Sequence, residues 1–171
     1  MAGFLNCFLR HADVVKIANL AQIVNVIAPI LTRGEQLLIQ PTFYPFEMFS
    51  RRREGVSLRA AVSGPDYASR SYGRAPVVDA GAILAEDDLH VFLIHRGLAE
   101  AAPVEVELAD RTIAAVGSAE ILTGPDAKAA NSFERPDVVR PRPLAGVKIA
   151  AGAARVELPP LSLAAITLQL S

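Results

Sequence analysis

The sequence predicts a mainly β protein: a C-terminal antiparallel β-sandwich, or jelly roll, preceded by the last strands and helices of a barrel of alternating strands and helices. From Gly55 onward, short runs alternate apolar and polar residues, which is typical of half-buried antiparallel strands. Before Gly55, two short apolar runs (14–20 and 37–39) lead into carboxamide side chains and read as strands buried on both faces. We therefore expect a boundary between residues 1–54 and residues 55–171.

Composition limits the function classes. The 171 residues are 51% hydrophobic and 20% charged, which predicts a packed core of one ordinary domain or a small domain plus part of another. The net charge of -1, with no basic stripe, gives no reason to expect a nucleic-acid partner. No apolar run reaches the ~18 residues of a membrane span, so no membrane partner is expected. The start has no signal-peptide pattern, which favours a cytoplasmic location.

The N-terminal elements follow from periodicity. Residues 2–12 have a helical pattern, with Asn6 and Arg10 opposite an apolar face. Residues 14–21 read as a buried strand. Residues 22–32 are apolar but interrupted by a proline, and are expected to form a long connection. The predicted apolar face of the helix consists of Phe4, Leu5, Phe8, Leu9 and Ala12.

The second predicted strand covers residues 36–40, and Pro41 stops it directly after Gln40. A short helix over residues 45–53 is expected next, because proline is tolerated in a first helical turn. In barrels of alternating strands and helices, polar side chains at the C-terminal ends of strands face the active site. Gln40 is therefore predicted to reach into a site whose other walls lie outside this sequence. The alternative is a strand-end residue that bonds nearby backbone.

The region after Gly55 predicts about eight short strands separated by turn residues, the pattern of a β-sandwich or jelly roll. Residues 104–108 and 166–171 show the clearest alternation. Residues 131–143, which hold several prolines, are expected to be an irregular loop. The other strand candidates are residues 56–62, 80–84, 89–95, 119–122, 147–149 and 155–158.

No group of side chains in this region predicts a cofactor or metal site. Glu105 and Glu107 share one face of a predicted strand, which is usually the solvated side of a sheet. The acidic residues 86–88 are expected to be a hairpin turn, with a weak calcium site as the alternative. His90 and His95 lie five apart on one predicted strand and so point to opposite faces. No spacing resembles a zinc site.

Four segments in order along the chain carry a family likeness: residues 4–32, 40–50, 131–139 and 156–170. Together they resemble the C-terminal portion of the α-L-arabinofuranosidases of glycoside hydrolase family 51. That family is built as a (β/α)8 barrel followed by a jelly roll. The resemblance implies that residues 14–20 and 36–40 are the seventh and eighth barrel strands. It also implies that Gln40 is a substrate-binding residue, whose carboxamide offers donors and an acceptor to the hydroxyls of arabinofuranose.

The resemblance implies that the catalytic residues lie outside this sequence. Retaining glycosidases use two carboxyl groups roughly 5–5.5 Å apart, and in this family both belong to glutamates on earlier barrel strands. Glu35 precedes the eighth strand and Glu47 follows it, so neither corresponds to them, and we expect no catalytic residue in this chain. The parent enzyme is expected to release terminal L-arabinofuranose from arabinan or arabinoxylan, and the isolated chain is expected to be inert.

Two other functions remain open from the sequence. A non-catalytic carbohydrate-binding module would stack sugars on aromatic side chains, for which the later region offers Tyr67, Tyr72, Phe92 and Phe133 but no tryptophan. An assembly role is the third possibility. A barrel remnant would leave apolar faces and strand edges uncovered, which favours a homo-oligomer or association with the rest of the barrel.

Overall fold

The protein is mainly β and contains several antiparallel sheets. The computed structural model describes residues 1–71 and 73–171. Neither α1 (Ala2–Arg10) nor α2 (Phe43–Ser50), the helices of this described part, has the length and apolar character needed to cross a membrane. The strands are β1 (Ile30–Arg33), β2 (Gln36–Ile39), β3 (Val56–Leu58), β4 (Asp66–Ser69), β5 (Gly73–Pro76), β6 (Val78–Ala85), β7 (Asp88–His95), β8 (Ala102–Val106), β9 (Ile113–Thr123), β10 (Arg140–Pro143), β11 (Lys148–Ala150), β12 (Ala153–Leu158) and β13 (Ser162–Leu170).

A six-stranded sheet forms the centre of the fold, in the order β10-β9-β13-β7-β6-β3. A three-stranded sheet has the order β11-β12-β8, and β1–β2 and β4–β5 are separate hairpins. All of these strand pairs are antiparallel. The predicted mainly β, antiparallel architecture is therefore confirmed.

Both faces of the central strands β7 and β13 are buried. Leu93 and Ile166 point to one face and share a core with Leu158 of the three-stranded sheet. Phe92 points to the other face, where it stacks on Phe49 of α2 at 3.8 Å between ring centroids. The six-stranded sheet thus lies between the smaller sheet and the two helices, and this placement fixes α2 and the segment that leads into it.

The predicted strand over residues 14–21 is wrong. These residues form no strand, and the side chains of Val14 and Ile17 are 71% and 76% exposed. A buried barrel strand takes its hydrogen bonds and its apolar cover from neighbouring strands. The described part of this chain supplies no such neighbour for these residues.

The predicted N-terminal helix is confirmed, and Leu5, Phe8 and Leu9 of its predicted apolar face pack into the core, but two of its residues differ from the prediction. Asn6, expected on the polar face, is fully buried, whereas Phe4 is 67% exposed. The reason is the buried carboxylate of Asp79 on β6, which attracts the polar side chains of α1. Arg10 lies 2.8 Å from Asp79, and the side-chain nitrogen of Asn6 donates to the carbonyl of Phe92 at 3.3 Å.

Two further differences concern short strands. Residues 131–143 were expected to be irregular, but Arg140–Pro143 form β10 at the edge of the six-stranded sheet. Proline is tolerated there because an edge strand leaves alternate N–H groups unpaired. The strand predicted over residues 56–62 ends at Leu58, and the hairpin β4–β5 follows after a short coil.

The helix predicted over residues 45–53 spans Phe43–Ser50 instead.

Candidate functional site

Gln40 lies between the end of β2 and the beginning of α2, and its side chain is half-buried. Its N–H donates to the carbonyl of Pro29 at 2.8 Å, and its carbonyl accepts from the N–H of Phe43 at 3.0 Å. Among the described residues, no hydrogen-bond partner meets its carboxamide. The backbone of Gln40 is therefore held, while its donors and acceptor remain available to a ligand.

A β-hairpin that sequence reasoning missed presents Gln40. β2 pairs with β1 in antiparallel register, from Ile30 opposite Ile39 to Arg33 opposite Gln36. Gly34 occupies the first of the two loop positions with φ +60, where a type II′ hairpin places glycine. The signal was present in the sequence as a glycine between two apolar runs. The prediction of a strand before Gln40 is confirmed, but its partner is antiparallel, whereas a barrel neighbour would be parallel.

The loop between β9 and β10 contacts this hairpin. Arg33 on β1 forms an ion pair with Glu134 at 2.9 Å and places its guanidinium 4.3 Å from the ring centre of Phe133. The hydrogen bond from Arg33 lowers the pKa of the Glu134 carboxyl below its usual range. Both charged side chains are mostly exposed, so the pair adds little stability and mainly sets the register between loop and hairpin.

Asn131 in the same loop makes a contact with the end of β2 that sequence reasoning missed. Its side chain is buried and donates a hydrogen bond to the carbonyl of Ile39 at 2.9 Å. The sequence offered only the likeness of residues 131–139 to a family segment. It offered no sign that residues 92 positions apart touch.

Tyr44 occupies the first turn of α2, close to Gln40. Burial raises the pKa of its phenol, and the nearby carboxylates of Asp137 and Glu47 raise it further. The phenol therefore stays protonated at neutral pH and keeps its capacity to donate a hydrogen bond.

The acidic residues considered from the sequence do not gather at this position. Glu47 pairs with Arg51 on α2, and Glu105 pairs with Arg155 across strands at 3.0 Å. In residues 1–71 and 73–171, no three His, Cys, Asp or Glu side chains form a group able to hold a metal ion. Asp87, from the acidic turn at residues 86–88, forms an ion pair with Arg111 at 2.6 Å.

The two histidines point to opposite faces of β7, as predicted. His90 lies on the face that carries the helices, where its Nδ1 is 3.0 Å from the hydroxyl of Thr167. Burial lowers the pKa of His90. His95 lies on the other face, with its Nδ1 2.9 Å from the carbonyl of Pro159. Each ring has a structural partner, and they share no site.

A groove of about 1440 Å³ opens beside the edge strand β8, but its chemistry suits a sugar poorly. Among the described residues that line it, none is Phe, Tyr or Trp. Elsewhere in residues 55–171, Tyr67 is 43% exposed, Phe92 is fully buried, and the ring of Phe133 is covered by Arg33. Tyr72 lies outside the described residues. The described aromatics thus form no stacking platform for a carbohydrate-binding module.

Residues 1–162 match the protein family described as alpha-L-arabinofuranosidase C-terminal domain. The intracellular exo-alpha-(1->5)-L-arabinofuranosidase of Streptomyces lividans is 37% identical over 162 residues, which cover 94% of this chain and 24% of that protein. The intracellular exo-alpha-L-arabinofuranosidase of Bacteroides ovatus is 34% identical, over 96% of this chain and 32% of that protein. The chain therefore spans about a quarter to a third of the length of these curated relatives.

Two solved structures of family 51 arabinofuranosidases have a similar fold over nearly all of this chain. The GH51 arabinofuranosidase from Xanthomonas axonopodis pv. citri superposes with a TM-score of 0.88 at 28% identity, over 97% of this chain and 34% of that one. The family 51 alpha-L-arabinofuranosidase from Bifidobacterium longum gives a TM-score of 0.90 at 28% identity, over 98% of this chain and 34% of that one.

Proposed function

Because this chain belongs to the family of alpha-L-arabinofuranosidase C-terminal domains, we propose that it is the C-terminal part of an α-L-arabinofuranosidase. The parent enzyme is a retaining glycoside hydrolase that releases terminal L-arabinofuranose from arabinan, arabinoxylan or their oligosaccharides. The observation that carries the proposal is the match to this family over residues 1–162. The relatives from Streptomyces and Bacteroides are named intracellular exo-arabinofuranosidases, which supports an intracellular location and an exo mode of attack.

In the proposed enzyme, residues 1–54 complete a (β/α)8 barrel and residues 55–171 form a jelly roll. Gln40 contributes to the sugar site. Its position after β2, its held backbone and a carboxamide with no hydrogen-bond partner among residues 1–71 and 73–171 support this role. A carboxamide donates and accepts hydrogen bonds at once, as a sugar hydroxyl requires of its partners. The acid and the nucleophile come from the remainder of the enzyme, so the isolated chain is inert.

A chimera tests this proposal. The segment of the Streptomyces lividans enzyme that matches this chain is replaced by the 171-residue sequence, and release of the aryl group from an aryl α-L-arabinofuranoside is measured. We expect the chimera to hydrolyse the substrate and the isolated chain to show no turnover, because two carboxyl groups are needed for the reaction. The unmodified Streptomyces enzyme is the positive control. A folded but inactive chimera, or turnover by the isolated chain, would contradict the proposal.

The isolated chain is also expected to associate, with itself or with the rest of the barrel. Several large apolar side chains of residues 14–27 are exposed, and contiguous patches of this kind drive association. The most exposed are Ile17 (76%), Ile23 (82%), Val26 (83%) and Ile27 (73%).

Light scattering measures this association. The wild-type chain should exceed its monomer mass of 18.2 kDa, and the Ile17→Ser/Ile27→Ser variant should move toward that mass. Leu98→Ser is the matched control, because Leu98 is equally exposed (77%) but lies outside the patch. A wild-type chain that stays monomeric at every concentration would refute the expectation.

A further inference from the structure

Asn131 lies in the loop between β9 and β10 and contacts Ile39, the residue directly before Gln40. Its side-chain nitrogen donates to the carbonyl of Ile39 at 2.9 Å and to the carbonyl of Val139 at 2.9 Å. Its side-chain oxygen accepts from the N–H of Val139 at 2.8 Å. With only 6% of its surface exposed, Asn131 is a buried and hydrogen-bonded connection between two distant segments.

These contacts fix one particular peptide unit. The carbonyl of Ile39 and the N–H of Gln40 belong to the same planar peptide group. Asn131 holds the carbonyl, while Pro29 accepts from the N–H at 2.8 Å. A planar group bonded at both ends cannot rotate about its neighbouring bonds without breaking one of the two contacts. The direction of the Gln40 side chain is therefore set in part by Asn131.

The same loop holds the other strand of the hairpin. Arg33 on β1 contacts both Glu134 and Phe133, so the loop meets β1 as well as β2. These contacts are exposed and weak, whereas the contact from Asn131 is buried. Asn131 is thus the part of this connection best placed to resist movement of the strand end.

We propose that Asn131 is a positioning residue for Gln40, holding the Ile39–Gln40 peptide so that the carboxamide meets the arabinofuranosyl group. The inference rests on the proposed function, because it requires Gln40 to bind the sugar. The side chain of Asn131 itself contacts backbone only, so its effect on the reaction passes through Gln40.

The test is a double-mutant cycle in the chimera. Asn131→Asp keeps the shape and the oxygen that accepts from Val139, but removes the donor and sets a negative charge against two carbonyls. We expect N131D to lower kcat/KM about tenfold or more, because small misplacements at a site are costly. In a Gln40→Ala background, N131D should change kcat/KM by less than about twofold, because the carboxamide that Asn131 positions is already absent.

Asn6→Asp is a control for the loss of stability alone, since Asn6 is also a buried asparagine that donates to a backbone carbonyl, that of Phe92, and it lies 3.5 Å from the carboxylate of Asp79. N6D should lower the thermal midpoint, and its effect on kcat/KM should be the same with or without Gln40. The positioning role would be overturned if the losses in kcat/KM of N131D and Q40A multiply in the double variant. It would also be overturned if N131D leaves kcat/KM unchanged. If Q40A itself has no effect, the proposed role of Gln40 fails instead, so the two failures are distinguishable.

A second measurement covers the case in which N131D does not fold in the chimera. In the 171-residue chain, Asn131→Ser shortens the side chain and removes the reach to Ile39. Hydrogen exchange at the N–H of Gln40 should then quicken about tenfold, while exchange at the N–H of Arg51, directly after α2, stays unchanged. Equal exchange of the Gln40 N–H in N131S and wild type would overturn the proposal.

Discussion

Replacing Gln40 by alanine in the chimera is expected to lower kcat/KM roughly 10- to 100-fold, because tenfold corresponds to about 1.4 kcal/mol and an unmade hydrogen bond at a closed site costs about 1–3 kcal/mol. Alanine removes the carboxamide but leaves the backbone contacts to Pro29 and Phe43 in place. Steady-state kinetics with an aryl α-L-arabinofuranoside measure the loss. A fall in kcat as well as in kcat/KM would indicate a contact that strengthens in the transition state.

Gln36→Ala is the matched control for this prediction. Gln36 begins the same strand, is exposed, and uses its side-chain oxygen to accept from Arg33 at 3.1 Å. Since it is a surface residue away from the site, kcat/KM should stay within about twofold of the parent chimera. Equal losses for Q36A and Q40A would mean that the hairpin as a whole matters and that Gln40 has no special contact.

Arg52→Ala is expected to lower the free energy of unfolding of the chain by about 3–5 kcal/mol. Arg52 follows α2, is buried, and forms an ion pair at 2.6 Å with Glu120 on β9, whose side chain is 18% exposed. It also donates to the carbonyl of Met48 at 3.1 Å and to the hydroxyl of Thr167 at 3.3 Å. Alanine leaves the carboxylate of Glu120 partly buried and without its counter-charge. Denaturant unfolding of the 171-residue chain measures the change.

Two controls separate charge burial from lost contact area. The double variant Arg52→Met/Glu120→Leu removes both charges and should recover most of the stability, because well-packed apolar replacements of buried ion pairs are often neutral. Arg155→Ala breaks an ion pair of similar length with Glu105 whose side chains are 57% and 48% exposed. It should cost less than about 1 kcal/mol. An R52A loss no larger than that of R155A would contradict the prediction.

Many of the strands after Gly55 were predictable, because their side chains alternate between more buried and more exposed positions, as in β8 and β12. β7 was predicted to within one residue of its observed start, and the alternation over residues 166–171 located the second half of β13, which begins at Ser162. β10 was missed because its alternating prolines read as a loop signal. Only the edge position beside β9 makes that sequence acceptable as a strand.

The N-terminal region shows where periodicity fails. An apolar run predicts burial, yet Ile17 and Ile27 are exposed, because the described part of the chain supplies no surface to cover them. Asn6 shows the reverse: a polar residue is buried because Asp79, far away in sequence, attracts its helix face. Gln40 was predicted to be a site residue from its local position and the family likeness, and that role stays a prediction. Asn131 was not identified, because its contact with Ile39 depends on tertiary structure alone.

The most direct test of this account is a crystal structure of the chimera with L-arabinose bound. If Gln40 binds the sugar, its carboxamide lies within about 3.2 Å of a sugar hydroxyl, at hydrogen-bond distance. A structure in which arabinose occupies the active site while the Gln40 side chain points away from it would show that Gln40 does not bind the sugar.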